Sequence, residues 1–354
     1  MAEIQFENWK QMARLHNPLK SGQLDEQEIE VRLDPLLGHQ SILNPGLAAK
    51  TAILFPPTDK DYLQERAAET RAQCFLCDGK WRQTTPRYAE KIVPEGRLVQ
   101  GEAVLFPNLF PLAAYHAVIM LGSRHYRELD DFPASLLKDS LAVSLEFIRK
   151  CRAVDPSALY FTINANYLFP AGSSVLHPHL QLIGSPFPGT AERVLLEKSL
   201  AYMERTGSCY WLDLAATEQR LQSRWLGEIE GSQWFSAYSP TGVNEINAVT
   251  LRKSNFLEWG ESELSGMAEG ISRALRGYHE LGFSTFNFSC FSAPLESEAS
   301  HFRCFLRLIN RQNAAPHYRT DDYYFQKLLG NEIIIYSPEN LAARIKWCFQ
   351  ETVR

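Results

Sequence analysis

The chain has 354 residues, 45% of them hydrophobic and 22% charged, a globular balance long enough for about two domains or one large two-part domain. Its net charge of −5 argues against a general nucleic-acid binder, which carries a basic excess. No apolar run approaches the roughly 20 residues a membrane helix needs, the first residues lack a signal-peptide core, and an odd number of cysteines, seven, suits a reducing compartment. A cytoplasmic protein with no membrane or nucleic-acid partner is therefore expected.

Residues 1–58 read as an N-terminal arm with turns and one short strand at Ser41–Leu43, set among Pro and Gly punctuation. A short helix in DYLQERAAETRAQCFLCDG leads into Cys74 and Cys77. Two strands follow, Val104–Phe106 and Tyr115–Leu121, with Pro107, Asn108 and Pro111 breaking between them. Leu137, Leu141, Leu145 and Ile148 recur at steps of four, four and three and predict a helix over 133–151, with Pro133 in its first turn. ALYFTINANY is a strand, LFPAGSS a loop, and SSVLHPHLQLIG the next strand.

After a helical connecting segment the order repeats. Two strands flank a Pro-Thr-Gly turn in 233–253. A helix carries the stripe Leu264, Met267, Ile271, Leu275, Tyr278 and Leu281, and STFNFSCFSA and SHFRCFLRLIN make a further pair of strands. Such repetition of element order predicts an α+β protein of two fused half-modules, each an antiparallel sheet with a long helix. The expected divisions are 59–190 for the first module, 191–230 for the connection and 231–354 for the second module. Ser337 and Pro338 form a helix start for the C-terminal helix.

In SSVLHPHLQLIG, alternation places His177, His179 and Gln181 on one face and Leu176, Pro178, Leu180 and Leu182 on the other. Pro178 cannot donate a ladder hydrogen bond, so an edge strand or a local break is expected. A neutral imidazole is a nucleophile towards phosphorus when its other nitrogen is held as N–H, and a nearby amide can bond the phosphate. The plainer reading is two half-buried histidines bonding backbone groups. Cys74 and Cys77 make half of a zinc site, a redox pair or two free thiols; His125 and His177 are candidates to complete a tetrahedral Cys2His2 set, which would be closed and structural.

CFLC, then SRHYREL, then NYLFPAGSSVLHPHLQ resembles, in that order, the galactose-1-phosphate uridylyltransferase branch of the histidine-triad superfamily, over roughly residues 30–350. The resemblance implies His179 as the nucleophile that carries the nucleotidyl group and Gln181 as the phosphate-bonding amide. It implies Asn166 and Ser174 on phosphate oxygens or the His179 ring, Phe106 and Asn108 gripping the nucleoside, and Cys74, Cys77, His125 and His177 holding one structural zinc per chain. A homodimer is implied on the same ground. Leu180 stands where the sugar-phosphate enzymes usually have Gly and looks more like the dinucleoside polyphosphate phosphorylases (ATP adenylyltransferases) of that superfamily. In the second half Phe305 and Arg307 stand where histidines are expected, His301 survives, and no second metal site is expected. Among the acceptor-side residues Glu332 corresponds, the following glutamine is missing, and Lys50 is the basic residue left near the arm.

The expected activity is a nucleotidyltransferase or phosphorylase working through a nucleotidyl-histidine on a nucleoside-diphosphate sugar or a dinucleoside polyphosphate, transferring UMP or AMP. The alternatives are a non-catalytic nucleotide or sugar-nucleotide binder on the same scaffold, and a zinc-stabilised interaction protein with structural histidines. His116 reads as a strand histidine, Tyr323, Tyr324 and Phe325 as core or dimer contacts, and Arg307 and Arg311 as a solvated pair.

Overall fold

The computed structural model describes residues 2–296 and 299–350. Its strands are β1 Asn8–Asn17, β2 Gln23–Leu33, β3 Gln40–Leu43, β4 Leu98–Gln100, β5 Ala103–Pro107, β6 Tyr115–Leu121, β7 Tyr160–Tyr167, β8 His179–Ser185, β9 Trp225–Ile229, β10 Ser232–Ser236, β11 Ile246–Thr250, β12 Phe286–Phe291, β13 Phe305–Asn310 and β14 Glu332–Ile334. The helices are α1 Thr51–Leu54, α2 Lys60–Arg71, α3 Trp81–Thr84, α4 Ala134–Val154, α5 Thr190–Thr206, α6 Tyr210–Leu221, α7 Glu261–Glu280, α8 Tyr324–Lys327 and α9 Pro338–Gln350.

The α+β duplication is present as one continuous ten-stranded sheet in the order β4-β5-β6-β8-β7-β12-β13-β11-β10-β9, with every neighbouring pair antiparallel. Read inward from its two ends, the order is the same: 4-5-6-8-7 and 9-10-11-13-12. The halves meet where β7 pairs with β12, Asn164 facing Ser289. On β8, Gln181 pairs with Asn164; on β13, Arg307 pairs with Ser289. Gln181 and Arg307 therefore hold equivalent places in the two halves.

One face of this sheet carries the main core. Ala117, Ile119, Leu121, Ile163, Ala165, Leu180 and Leu182 from the first half, and Phe286, Phe288, Leu306 and Leu308 from the second, pack against the apolar stripes of α4 and α7. The opposite face is covered differently in each half. Over the second, α5 and α6 make a separate core in which Trp211 stacks on Phe305 with ring centroids 3.9 Å apart. Over the first, the segment containing Cys74 and Cys77 seats Leu76 on Val104, Phe106 and Met120.

Several sequence expectations change. The N-terminal arm supplies β1, β2 and β3 of a four-stranded sheet, β1-β2-β3-β14, whose fourth strand β14 comes from the second half and runs parallel to β3. The β1–β2 hairpin gave no apolar alternation because most of β1 is exposed; opposite charges pair across it instead, Lys10 with Glu28 and Arg14 with Glu26, each at 2.7 Å. Short strands β4 and β9 flank the two halves without a strong hydrophobic signal. The strand expected from Ser173 starts only at His179, and it is central, between β6 and β7, not at an edge. Pro178 stands just before it as the local break, its carbonyl accepting from Leu121 N–H at 3.0 Å. His177 therefore does not share the strand face of His179 and Gln181. Pro133 is the cap residue of α4, one position outside the helix. Tyr324 is 64% exposed, which removes the core half of the core-or-dimer-contact reading at that residue. Arg307 and Arg311 are not a solvated pair: Arg307 Nε lies 3.5 Å from buried Glu245, and Arg311 donates to both oxygens of Asp321 at 2.9 and 2.6 Å.

Candidate active site and metal centre

The loop between β7 and β8 sets the site. It leaves β7 through Leu168, a fully buried residue at φ 65°, ψ 168°, a conformation that costs a non-glycine residue about 1–3 kcal/mol and is held by its surroundings. Leu168 O accepts from Ala171 N–H (3.1 Å) and Ser173 N–H (3.2 Å), which folds the loop tightly enough to deliver His177 inward before β8 begins.

His177 is completely buried and ends beside the cysteine segment. There Cys77 opens a short 3-10 turn, and the chain leaves it through Asp78 (φ 56°) and Gly79 (φ +75°). One ligand atom from each of Cys74, Cys77, His125 and His177 lies within 4.8 Å of all the others, and all four residues are buried. Cys77 Sγ is 3.2 Å from His125 Nδ1 and 3.3 Å from His177 Nδ1; Cys74 Sγ is 3.8 Å from His177 Nδ1. A tetrahedral site with ordinary metal–sulfur and metal–nitrogen lengths sets sulfur and nitrogen roughly 3.5 Å apart.

The outer partners fix which nitrogen faces the sulfurs. His177 Nε2–H donates to Gly122 O at 2.9 Å. Thr70 gives its own hydroxyl proton to Arg66 O and so accepts from His125 Nε2–H at 2.9 Å. Both Nδ1 lone pairs are thereby free for a metal, the arrangement outer-shell donors impose on metal-ligating histidines. Burial holds both imidazoles below the ordinary histidine range, His177 at about 4, and burial together with Cys74 pushes the Cys77 thiol up to about 12. The four residues can hold one metal ion, and the set leaves no ligand position open.

His179 has the opposite tautomer. Its Nδ1–H donates to His177 O at 2.9 Å, so Nε2 carries the lone pair. Burial keeps the ring below the ordinary histidine range and hence neutral near pH 7. His179 and Gln181 line a cavity of about 420 Å³ walled by Phe75, Leu76, Pro86, Phe106, Asn108, Leu109, Phe110, Val118 and Ser174. An apolar wall of this size beside a few convergent polar groups suits a small ligand, and a neutral imidazole aimed into it can attack an electrophilic centre.

Of the residues expected from the sequence, His179, Gln181, Phe106, Asn108 and Ser174 come together around the cavity. Asn166 stands aside: its Oδ1 accepts from Asn287 Nδ2 at 2.7 Å across the seam, and Arg311 donates to Asn287 Oδ1 at 2.9 Å. Leu180 is buried on the core side of β8, so its side chain cannot touch a ligand in the cavity. Lys50 is exposed, and Glu332 is buried in β14, where burial pushes its carboxyl up to about 7. Sequence reasoning missed His116 and Thr70. His116, Val118 and Met120 alternate onto the cavity side of β6, but only the β6–β8 pairing shows that this face meets His179 and Gln181.

The fold is that of solved GalT-like and uridylyltransferase structures. Solved structures with this fold include a GalT-like protein from Arabidopsis thaliana, 17% identical, covering 89% of this chain and 98% of that one at TM-score 0.67. Another is an ADP-glucose phosphorylase from the same plant with bound ADP-glucose, 17% identical, covering 92% and 100% at TM-score 0.68. A uridylyltransferase is 18% identical, covering 92% and 99% at TM-score 0.65. The sequence matches no family model. An uncharacterized protein of Archaeoglobus fulgidus is 30% identical over 334 residues, 94% of this chain and 96% of its own length, and the chain belongs to one family with it.

Proposed function

We propose that the protein is a nucleotidyltransferase or phosphorylase that carries a nucleoside monophosphate on His179. The observation that carries this reading is the His179 ring itself: Nδ1–H committed to His177 O, and the opposite nitrogen at the wall of a ligand-sized cavity beside Gln181. The fold shared with an ADP-glucose phosphorylase and a uridylyltransferase supports it.

His179 Nε2 attacks the α-phosphorus of a nucleoside-diphosphate sugar or a dinucleoside polyphosphate. The N–P bond forms as the bond to the bridging oxygen breaks, and the leaving phosphate takes that electron pair. Gln181 bonds a non-bridging oxygen as charge builds on it, and Ser174 stands at the same wall for a second phosphate contact. Phe106 and Asn108 grip the nucleoside. An acceptor phosphate oxygen then attacks the same phosphorus, and Nε2 recovers its lone pair, giving ping-pong kinetics. Cys74, Cys77, His125 and His177 hold zinc. The bound ion supplies folding energy and ties the cysteine segment to the β7–β8 loop, since a closed Cys2His2 set leaves no position for water. A homodimer accompanies this reading on the strength of the sequence resemblance, and a cytoplasmic location on the strength of the cysteine usage and composition.

The test is intact-protein mass after incubation with UDP-sugars, ADP-sugars and diadenosine polyphosphates. A gain of one UMP or AMP supports the transferase and names the base. Binding of the same compounds with no mass gain from any of them favours the non-catalytic binder.

A further inference from the structure

Four atoms next to the cavity form a chain whose hydrogens are determined by its far end. The backbone N–H of Leu112 donates to His116 Nδ1 at 3.1 Å. A backbone N–H can only donate, so Nδ1 must present its lone pair. His116 is 3% exposed and burial holds it below the ordinary histidine range, so the ring is neutral and its proton sits on Nε2. His116 Nε2 lies 2.8 Å from Gln181 Oε1. With the proton on Nε2, that contact is a donation to the amide oxygen. The Asn108 amide, whose Oδ1 accepts from Phe110 N–H at 2.9 Å, approaches Nε2 with its nitrogen at 3.3 Å and does not compete as an acceptor.

Resting on the phosphate-bonding reading of Gln181, we propose that His116 is a positioning residue: the Leu112–His116 relay holds the Gln181 oxygen away from the ligand and presents its NH2 group to a phosphate oxygen. Among the described residues no side chain or backbone group bonds Gln181 Nε2, while Gln181 itself lines the cavity. The orientation matters because the two ends of an amide have opposite polarity. An NH2 group towards an anionic oxygen donates, whereas the flipped amide sets two acceptors face to face. Preorganised donors act because they need no reorientation as charge develops. The β5–β6 loop thus does two things at once, walling the cavity with Leu109 and Phe110 and fixing the His116 tautomer through Leu112 N–H.

The experiment pairs a double-mutant cycle with a direct reading of the ring. Single-turnover labelling by the donor found in the mass screen is compared for wild type, His116→Ala, Gln181→Ala, the double variant and His116→Gln, whose amide nitrogen keeps a donor where Nε2 stood. The expected results are a loss of about tenfold for His116→Ala, a loss of about 10²–10³-fold for Gln181→Ala, and a double variant within about twofold of Gln181→Ala alone. His116→Gln should recover to within about threefold of wild type, a rescue that a purely packing role would not give. Losses that multiply in the double variant overturn the proposal. The tautomer is read on the resting wild-type protein by nitrogen-15 NMR with labelled histidine: a proton on Nε2 is required, and one on Nδ1 overturns the proposal even if a variant fails to fold. A wild type that never takes up a nucleotide would sink the transferase reading, and the NMR result would still decide the His116 relay.

Discussion

Two histidines of identical chemistry, two residues apart, are given opposite tautomers by two backbone carbonyls. Gly122 O takes the Nε2 proton of His177, and His177 O takes the Nδ1 proton of His179. One ring is left with Nδ1 facing two thiols, the other with Nε2 facing a cavity. The pH dependence of labelling follows. In the proposed mechanism neutral His179 is the reactive form, and burial lowers its pKa below the usual value near 6.5. The labelling rate should stay level as pH falls from 8 to 6.5 and decline only below that, as the ring takes a proton. A decline centred above pH 7 would assign the limiting titration to another group. His179→Ala should remove labelling and leave the metal bound, since His179 is not one of the four clustered ligand groups.

At the scale of elements, the helices of the two modules were legible because each carries a single apolar stripe against one sheet. The α4 stripe is buried throughout, and of the α7 stripe Met267, Ile271, Leu275 and Tyr278 are buried while Leu264 and Leu281 at its ends are partly so. The N-terminal hairpin was not legible, because strands wet on most of their surface lose the alternation that marks them. The start of β8 was misread because HPH satisfies period-two alternation whether or not the backbone is in a ladder; Pro178, without an N–H, decides it. The four residues that cluster as candidate metal ligands could be picked out from residue type and order, whereas His116 could not, since its partner sits 65 residues away on the neighbouring strand.

Helix α5 offers a test of stability against pH. Glu192 is 5% exposed; its Oε2 accepts from Gly189 N–H at 3.0 Å, while its Oε1 is buried without a partner among the described residues. Burial pushes its carboxyl up to about 7 from 4.5. A raised carboxyl pKa means that its contribution is fully present below pH 4.5 and is lost as pH rises through 7. Glu192→Gln keeps the cap and removes the ionisation. It should therefore stabilise the protein at pH 8 by on the order of 2 kcal/mol relative to wild type, with the difference shrinking by pH 5. Urea midpoints of the two proteins at both pH values measure this, and an equal difference at the two would refute the buried-carboxyl account.

Across the whole molecule, duplication supplies one sheet and divergence makes its open face unequal. Phe305 occupies in the second half the position His179 holds in the first, and Trp211 of α6 stacks on it where a ligand would otherwise lie. In the first half the cysteine segment stands over that face and walls the cavity with Phe75 and Leu76. About one zinc per chain is expected by elemental analysis of protein purified without chelator. On the proposed structural role of the ion, Cys74→Ser should lose the metal and lower the thermal midpoint by more than it slows labelling of the folded fraction. A Cys74→Ser protein that is as stable as wild type but slow would place the metal in the reaction.

The central claim is that the nucleotide is carried by His179, and peptide mapping of the labelled protein tests it most directly. Wild type is incubated with each UDP-sugar, ADP-sugar and diadenosine polyphosphate, quenched at alkaline pH to preserve the N–P bond, digested and sequenced by mass. A single UMP or AMP on the peptide containing His179, absent from His179→Ala, is the expected result. An adduct on His177 or any other residue, labelling that survives in His179→Ala, or no adduct from any donor would contradict it.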